Sequence, residues 1–258
     1  MVGVLRGFLS VVAVAACAGV AEARETVRVG GYQFPPYVEV DSRSSAVSGL
    51  TIEMIELLNA SQDAFRFEFV LTTPTRRYQD FEAQRFDVVL FEMPEWGWSS
   101  RSLPVEASAE IGVDGEVYIA LAADDRDQTF FDDIASRRIA AILGYNYGFA
   151  GFRNDPVVLR DEFEIALVND NTATIELVIR QRVDIGVVTQ SFLNRHLAAH
   201  PEQADRLLIS ERYDQVYSLR VLAREGMEPS AAAIGAMLAD LAADGRLETL
   251  MQKHGLAR

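Results

Sequence analysis

The densest chemistry in the chain lies in seven consecutive residues, Glu92-Met93-Pro94-Glu95-Trp96-Gly97-Trp98, which hold two carboxylates and both tryptophans of the sequence. An indole face stacks on flat or cationic groups, and a carboxylate beside it pairs with a cation, so this loop suits the wall of a site for a small polar solute. Glu92 and Glu95 are also a close carboxylate pair of the kind acid–base catalysis uses, although a pair on a strand end need not converge on one bond. Arg76 and Arg77 offer planar guanidinium groups to an anionic part of a ligand. Gly144-Tyr145-Asn146-Tyr147-Gly148 reads as a turn before a helix start, where free N–H groups suit a carboxylate. Asn171-Thr172 reads as a helix cap. His196 and His200 stand four apart on one helix face, a spacing that can clip a metal. No Glu lies between them and no third ligand accompanies them, so neither a metal nor any other cofactor is expected.

The elements that must position these residues alternate along the chain. Apolar runs and period-two patterns predict strands over 26–31, 65–71, 86–91, 117–122, 138–143, 164–167, 183–188 and 217–223. Helical spacing predicts helices over 50–60, 76–84, 130–136, 172–180, 191–199, 230–243 and 246–254. The apolar run at 86–91 is of the buried parallel type, and the candidate loop begins where it ends. Strands alternating with helices imply βαβ units, and two α/β lobes accommodate this many strands better than one open sheet.

Composition narrows the function classes. Among 258 residues, 24 Lys and Arg face 38 Asp and Glu, for a net charge of −14. That balance argues against nucleic acid and against anionic membrane surfaces, both of which need clustered cations. Residues 1–23 read as a signal peptide: Arg6, then the uncharged stretch 7–21, then Ala21-Glu22-Ala23 as an A-x-A cleavage site. The apolar stretch is shorter than the roughly 20 residues a membrane span requires. The single cysteine, Cys17, falls inside this segment. Cleavage therefore leaves a thiol-free mature chain, while Val14-Ala15-Ala16-Cys17 keeps open a lipoprotein anchored through Cys17. Either route places the protein in the periplasm.

Five segments then form an ordered pattern. The first runs Val27 to Tyr37, with its Tyr32-Gln33-Phe34-Pro35-Pro36-Tyr37 loop, and continues to Gly49-Leu50-Thr51-Ile52-Glu53. The second is Arg76-Arg77-Tyr78 through Arg85-Phe86-Asp87-Val88-Val89. The third runs from Ile139 to Gly148, the fourth is Arg182-Val183-Asp184-Ile185-Gly186-Val187-Val188, and the fifth runs from Leu238 to Gly255. In this order they resemble the periplasmic solute-binding proteins of family 3, the type II two-lobed binding proteins of amino-acid ABC importers.

The resemblance implies an α/β fold of two Rossmann-like lobes joined by a two-crossing hinge. Lobe 1 would hold 26–115 plus 220–258, and lobe 2 would hold 117–216. It implies a monomer that traps a small solute, amino-acid-like or cationic, between the lobes and delivers it to an inner-membrane ABC permease. An accessory or sensory protein docking on another membrane or periplasmic partner, or an enzyme built on the same fold, is the alternative. In the family Tyr32, Phe34 and Tyr37 face the cleft, and Asn171 and Thr172 line it. The carboxylate-gripping Arg of a Thr-x-x-Arg-like motif would fall to Arg101 of Ser99-Ser100-Arg101, at a displaced spacing. Thr189-Gln190 stands where the family carries an amine-binding Asp, so Gln190 is the candidate there and an ordinary α-amino grip is not evident. Trp96, Trp98, Glu92, Glu95, Arg76, Arg77, Tyr145 and Asn146 complete the expected set.

Overall fold

The structure is a computed structural model that describes residues 24–41 and 43–256; the leader expected over 1–23, Cys17 included, lies outside them. The first half is built on β1 (Glu25–Gly31), which pairs in parallel with β4 (Phe65–Leu71) on one side and β5 (Val88–Glu92) on the other. A two-residue-per-strand hairpin, β2 (Glu39–Val40) and β3 (Val47–Ser48), precedes α1 (Leu50–Ser61). Helix α1 buries Leu50, Met54, Ile55 and Leu58, one stripe at helical spacing. The short α2 (Arg77–Glu82) leads back to β5.

The second half repeats the plan. β7 (Ile139–Ile142) pairs in parallel with β8 (Ile165–Val168) and β9 (Ile185–Thr189). Helices α3 (Pro156–Glu162), α4 (Asn171–Ile179) and α5 (Gln190–Ala199) connect and follow these strands. Asp155 and Asp170 cap α3 and α4, each accepting from a backbone N–H at 2.8 Å. The sequence reading omits α3, although Asp155-Pro156 is the cap-then-proline signature of a helix start.

Two long antiparallel strands join the halves, β6 (Val105–Leu121) and β10 (Leu207–Arg224), giving one sheet in the order β4-β1-β5-β10-β6-β9-β7-β8. The predicted strands at 117–122 and 217–223 are therefore parts of longer ribbons. β5 covers β10 only from Arg220 onward, and β9 covers β6 only from Glu116 onward. Between them Gly112–Gly115 pairs only with Val216–Leu219. This span is two strands wide, flanked by register shifts at Tyr213/Gln215 and Leu219/Arg220, and it is where the two halves of the fold join. A Cβ on Gly115 would stand 2.5 Å from the Tyr213 ring and 2.7 Å from the Gln215 carbonyl, so the close crossing needs glycine there.

Helices α6 (Ala231–Ala243) and α7 (Arg246–Lys253) pack back onto the first half. The helix expected at 130–136 is only a 3-10 turn, Gln128–Phe131. No helix among the described residues is long and apolar enough to cross a membrane.

Candidate functional site

The site starts from an irregularity in β5. β10 pairs Arg220 with Glu92 but Leu222 with Val89, so β5 carries one extra residue across that interval. This is a β-bulge, and Phe91 stands in it at φ 57°, a conformation bulky residues rarely adopt. The bulge sends Leu90 and Phe91 both into the main core. It turns Glu92 toward Trp98, whose Nε1 donates to Glu92 Oε1 at 3.0 Å. Tyr32 OH donates to the other carboxylate oxygen at 2.9 Å. Arg77, at the start of α2, completes the group with Nε 3.4 Å from Glu92 Oε1. Both charged side chains are fully buried. Burial pushes the Glu92 carboxyl above its usual value, and the Arg77 charge with the Trp98 and Tyr32 donors opposes it.

The Arg77 guanidinium lies over the rings of Tyr78 at 4.4 Å and Tyr32 at 4.8 Å. It also crosses the cleft, donating to Asn146 Oδ1 at 3.1 Å and to the Gly144 carbonyl at 3.4 Å. Gly144 has φ 84°, and a Cβ on it would meet Thr75 at 2.8 Å and Pro74 at 3.0 Å, so the two halves touch there. Tyr145 OH donates to the Gln33 carbonyl at 2.8 Å, and Arg195 on α5 pairs with Glu39 at 2.6 Å. Between these contacts Phe34 sits edge-on to Trp96, Tyr145 and Tyr217. The cavity they leave is about 10 Å³, roughly the room for one water molecule. The inter-lobe surface is thus an aromatic box nearly filled by its own side chains.

The floor of the box comes from the two joint strands. Trp96 Nε1 donates to Gln215 Oε1 at 2.9 Å, and Gln215 Nε2 donates to Glu116 Oε2 at 2.6 Å. Burial, reinforced by the negative charge of Asp214, pushes the Glu116 carboxyl well above its usual 4.5. Between the unfolded and folded values the native state carries the extra proton, so this group's contribution to stability falls as pH rises above about 4.5. Glu116→Gln keeps an acceptor for Gln215 and removes the titration. The melting temperature of the variant relative to the parent is expected to rise steadily from pH 4.5 toward 8; thermal melts whose two curves run parallel across that range would contradict it.

The structure brings Tyr32, Phe34, Arg77, Trp96, Tyr145 and Asn146 together around the cavity, and Glu92 stands directly behind Tyr32 and Arg77. It leaves Arg76, Glu95, Arg101 and Thr172 exposed on the outer surface. Arg101 lies over the outer face of Tyr78 at 4.0 Å. Tyr37 turns away from the box and donates to Asp114 at 2.8 Å. Trp98 is a core residue of the first half, packed edge-on against Tyr78 and Phe81. Gln190 pairs with Asn194 along α5. Asn171 is buried with neither amide atom hydrogen-bonded within the described residues.

The turn Gly144–Gly148 opens only a 3-10 turn, Gly148–Ala150, instead of the expected helix. Its N–H groups already hold a carboxylate, since Gly148 and Phe149 donate to Asp214 at 2.6 and 2.8 Å. Sequence reading misses Glu116, Gln215 and Tyr217, because alternation around them shows only a strand face and the cleft exists only once β6 and β10 cross. Among the described residues no group of His, Asp and Glu is arranged to hold a metal.

No protein-family model and no curated protein matches the sequence. Solved structures do match across nearly the whole chain. A putative binding component of an ABC transporter from Wolinella succinogenes, complexed with lysine, is 15% identical, covers 91% of this chain and 97% of its own, and superposes with a TM-score of 0.69. The L-cystine solute receptor of Neisseria gonorrhoeae, unliganded and open, is 20% identical over 92% and 95%, with a TM-score of 0.58. An ancestral amino-acid-binding protein, a precursor of cyclohexadienyl dehydratase, is 18% identical over 89% and 95%, with a TM-score of 0.65. Sheet order, the paired crossing and these likenesses agree: the chain has the two-lobed fold of the type II periplasmic binding proteins.

Proposed function

We propose that this protein is a periplasmic solute-binding protein of the family 3 type, with lobes over 26–115 plus 220–258 and over 117–216, that closes on a small polar solute and delivers it to an ABC permease. One observation carries the reading. Polar groups from both lobes and from the joint, namely Arg77, Asn146, Glu116 and Gln215, converge on one aromatic box behind a two-stranded hinge. Such a box, lined by rings with a few fixed polar groups, is the usual character of a small-ligand site. Because the box is nearly full when the lobes touch, solute entry requires the hinge to open, and closure then rebuilds contacts such as Arg77 to Asn146 around the guest.

The ring faces of the box favour an amino-acid-like or cationic solute, with the Arg77 guanidinium on the same wall available to a carboxylate. The lysine and cystine named for the similar structures agree with that class. The test is a thermal-shift screen over amino acids, polyamines and small organic acids. A true solute at 100 times its Kd is expected to stabilise the protein by about 2.7 kcal/mol. No stabilisation by any member of such a panel would sink the reading.

A further inference from the structure

A second recess lies on the opposite side of the hinge. Gln215 and Tyr217 face the aromatic box, and Val216 between them faces the other way, as alternation along a strand requires. That outer face opens into a groove of about 870 Å³, within the range of small-molecule sites. Its floor carries Val113, Tyr213 and Val216, which are 51%, 45% and 60% exposed and so count among the least covered large apolar side chains of the molecule. One wall is α6 and α7 of lobe 1, through Leu238 and Met251; the facing wall is the start of α5 in lobe 2. The turn after α7 closes one end against α5, where a Cβ on Gly255 would meet Arg195 at 2.9 Å. Exposed apolar surface gathered into a walled groove marks a binding site more often than bare solvent contact.

The charges of this groove are one-sided. Its only ionisable carboxylates are Glu110, exposed at the mouth, and Asp114, and no Arg, Lys or His lines it. Asp114 is held from both lobes, accepting from Tyr37 OH of lobe 1 at 2.8 Å and from the Ser191 hydroxyl and backbone N–H of lobe 2 at 2.5 and 3.2 Å. A neutral apolar guest would leave Glu110 facing only solvent and an anion would be repelled by both acids, whereas a cation with an apolar body matches the apolar floor and the one-sided charge together. We propose that the groove behind the hinge is a second ligand site, for a small amphipathic amine whose apolar body lies along Val113 and Val216 and whose ammonium faces Glu110 and Asp114. Because its walls belong to different lobes, a guest there bridges them from outside the cleft.

The test uses three isosteric probes, 4-phenylbutylamine, 4-phenylbutanol and 4-phenylbutyrate, titrated into the mature protein while the methyl resonances of Val113, Val216 and Met251 are followed. The amine is expected to shift these methyls, the alcohol to bind at least threefold more weakly, and the carboxylate not to bind. Ala239 is exposed on α6 and lines the groove, so Ala239→Trp fills the space without entering a core and is expected to lower amine affinity at least tenfold. Val216→Lys, at an exposed strand position, is expected to abolish it. Equal binding of amine and alcohol, shifts confined to other methyls, or amine affinity unchanged in both variants would overturn the proposal. So would a concentration-dependent dimer in sedimentation that Ala239→Trp abolishes, because the groove would then belong to a second copy. Ala239→Trp lies outside both the aromatic box and the hinge strands and is expected to keep the thermal-shift response to the cleft solute, so failure here and failure of the cleft reading give different results.

Discussion

Replacing Arg77 by Met is expected to lower the unfolding free energy by about 3–5 kcal/mol, the typical cost of leaving one member of a buried ion pair behind. The residue left behind is Glu92, fully buried with only Trp98 and Tyr32 as donors. Its carboxyl is already displaced toward the protonated form by burial, and removing the one nearby cation displaces it further. Arg77→Met combined with Glu92→Gln removes both charges, so the double variant is expected to lose less than the single one. Urea unfolding of parent, single and double variants reads this directly. A single-variant loss below about 1 kcal/mol would mean that solvent reaches the pair, and simple additivity would mean the two groups act independently. The same arginine holds Asn146 and the Gly144 carbonyl of the other lobe, so the variant is also expected to shift the lobes toward the open form.

The second large effect separates the two tryptophans. Trp98→Ala is expected to cost about 3–5 kcal/mol, because it empties a fully buried site between Tyr78 and Phe81 and strips Glu92 of a donor. Trp98→Phe keeps most of the volume and loses only the N–H, so its cost is expected near the 1–3 kcal/mol of an unsatisfied buried acceptor. Urea midpoints for the pair of variants decide between packing and hydrogen bonding: equal losses would show that the ring volume contributes little. Trp96 differs in kind. It stands between Phe34 and Tyr217 at the cleft, so its removal enlarges the solute cavity as well as weakening the core. A reading of the loop as one uniform aromatic wall therefore divides into a cleft residue, Trp96, and a lobe-core residue, Trp98.

Much of the fold was legible because its signals are local. The apolar run at 86–91 and the period of α1 need no distant partner to be read, and the fold follows from their alternation. The joint was legible only in part, since Gly112–Gly115 and Val216–Leu219 take their meaning from pairing with each other across a hundred residues. The site followed the same division. Tyr32, Arg77 and Trp96 announce themselves by type and position after strand ends. Glu116 and Gln215 are single polar residues in alternating strands, indistinguishable from a solvated face until the ribbons cross. Glu95 and Arg101 have the right chemistry but flank the tight turn at Trp96-Gly97, Glu95 just before it and Arg101 after it, and both side chains face solvent. The bulge at Phe91 that aims Glu92 leaves no residue signature, because it is defined by register against β10.

The crossing strands also set an order of assembly. Residues 116–215 contain every strand that the sheet of lobe 2 needs. Lobe 1 does not close in the same way: β5 takes its outer partner from Arg220–Ala223, and the core that α1 begins is covered by Leu238, Leu241, Leu247 and Leu250 of α6 and α7. A chain emerging N-terminus first therefore presents the parts of lobe 1 earliest and completes them last, after lobe 2 has everything it requires. Contacts of that sequence separation are slow to form. The interval in which β5 has an open edge is thus a built-in delay in the closing of lobe 1.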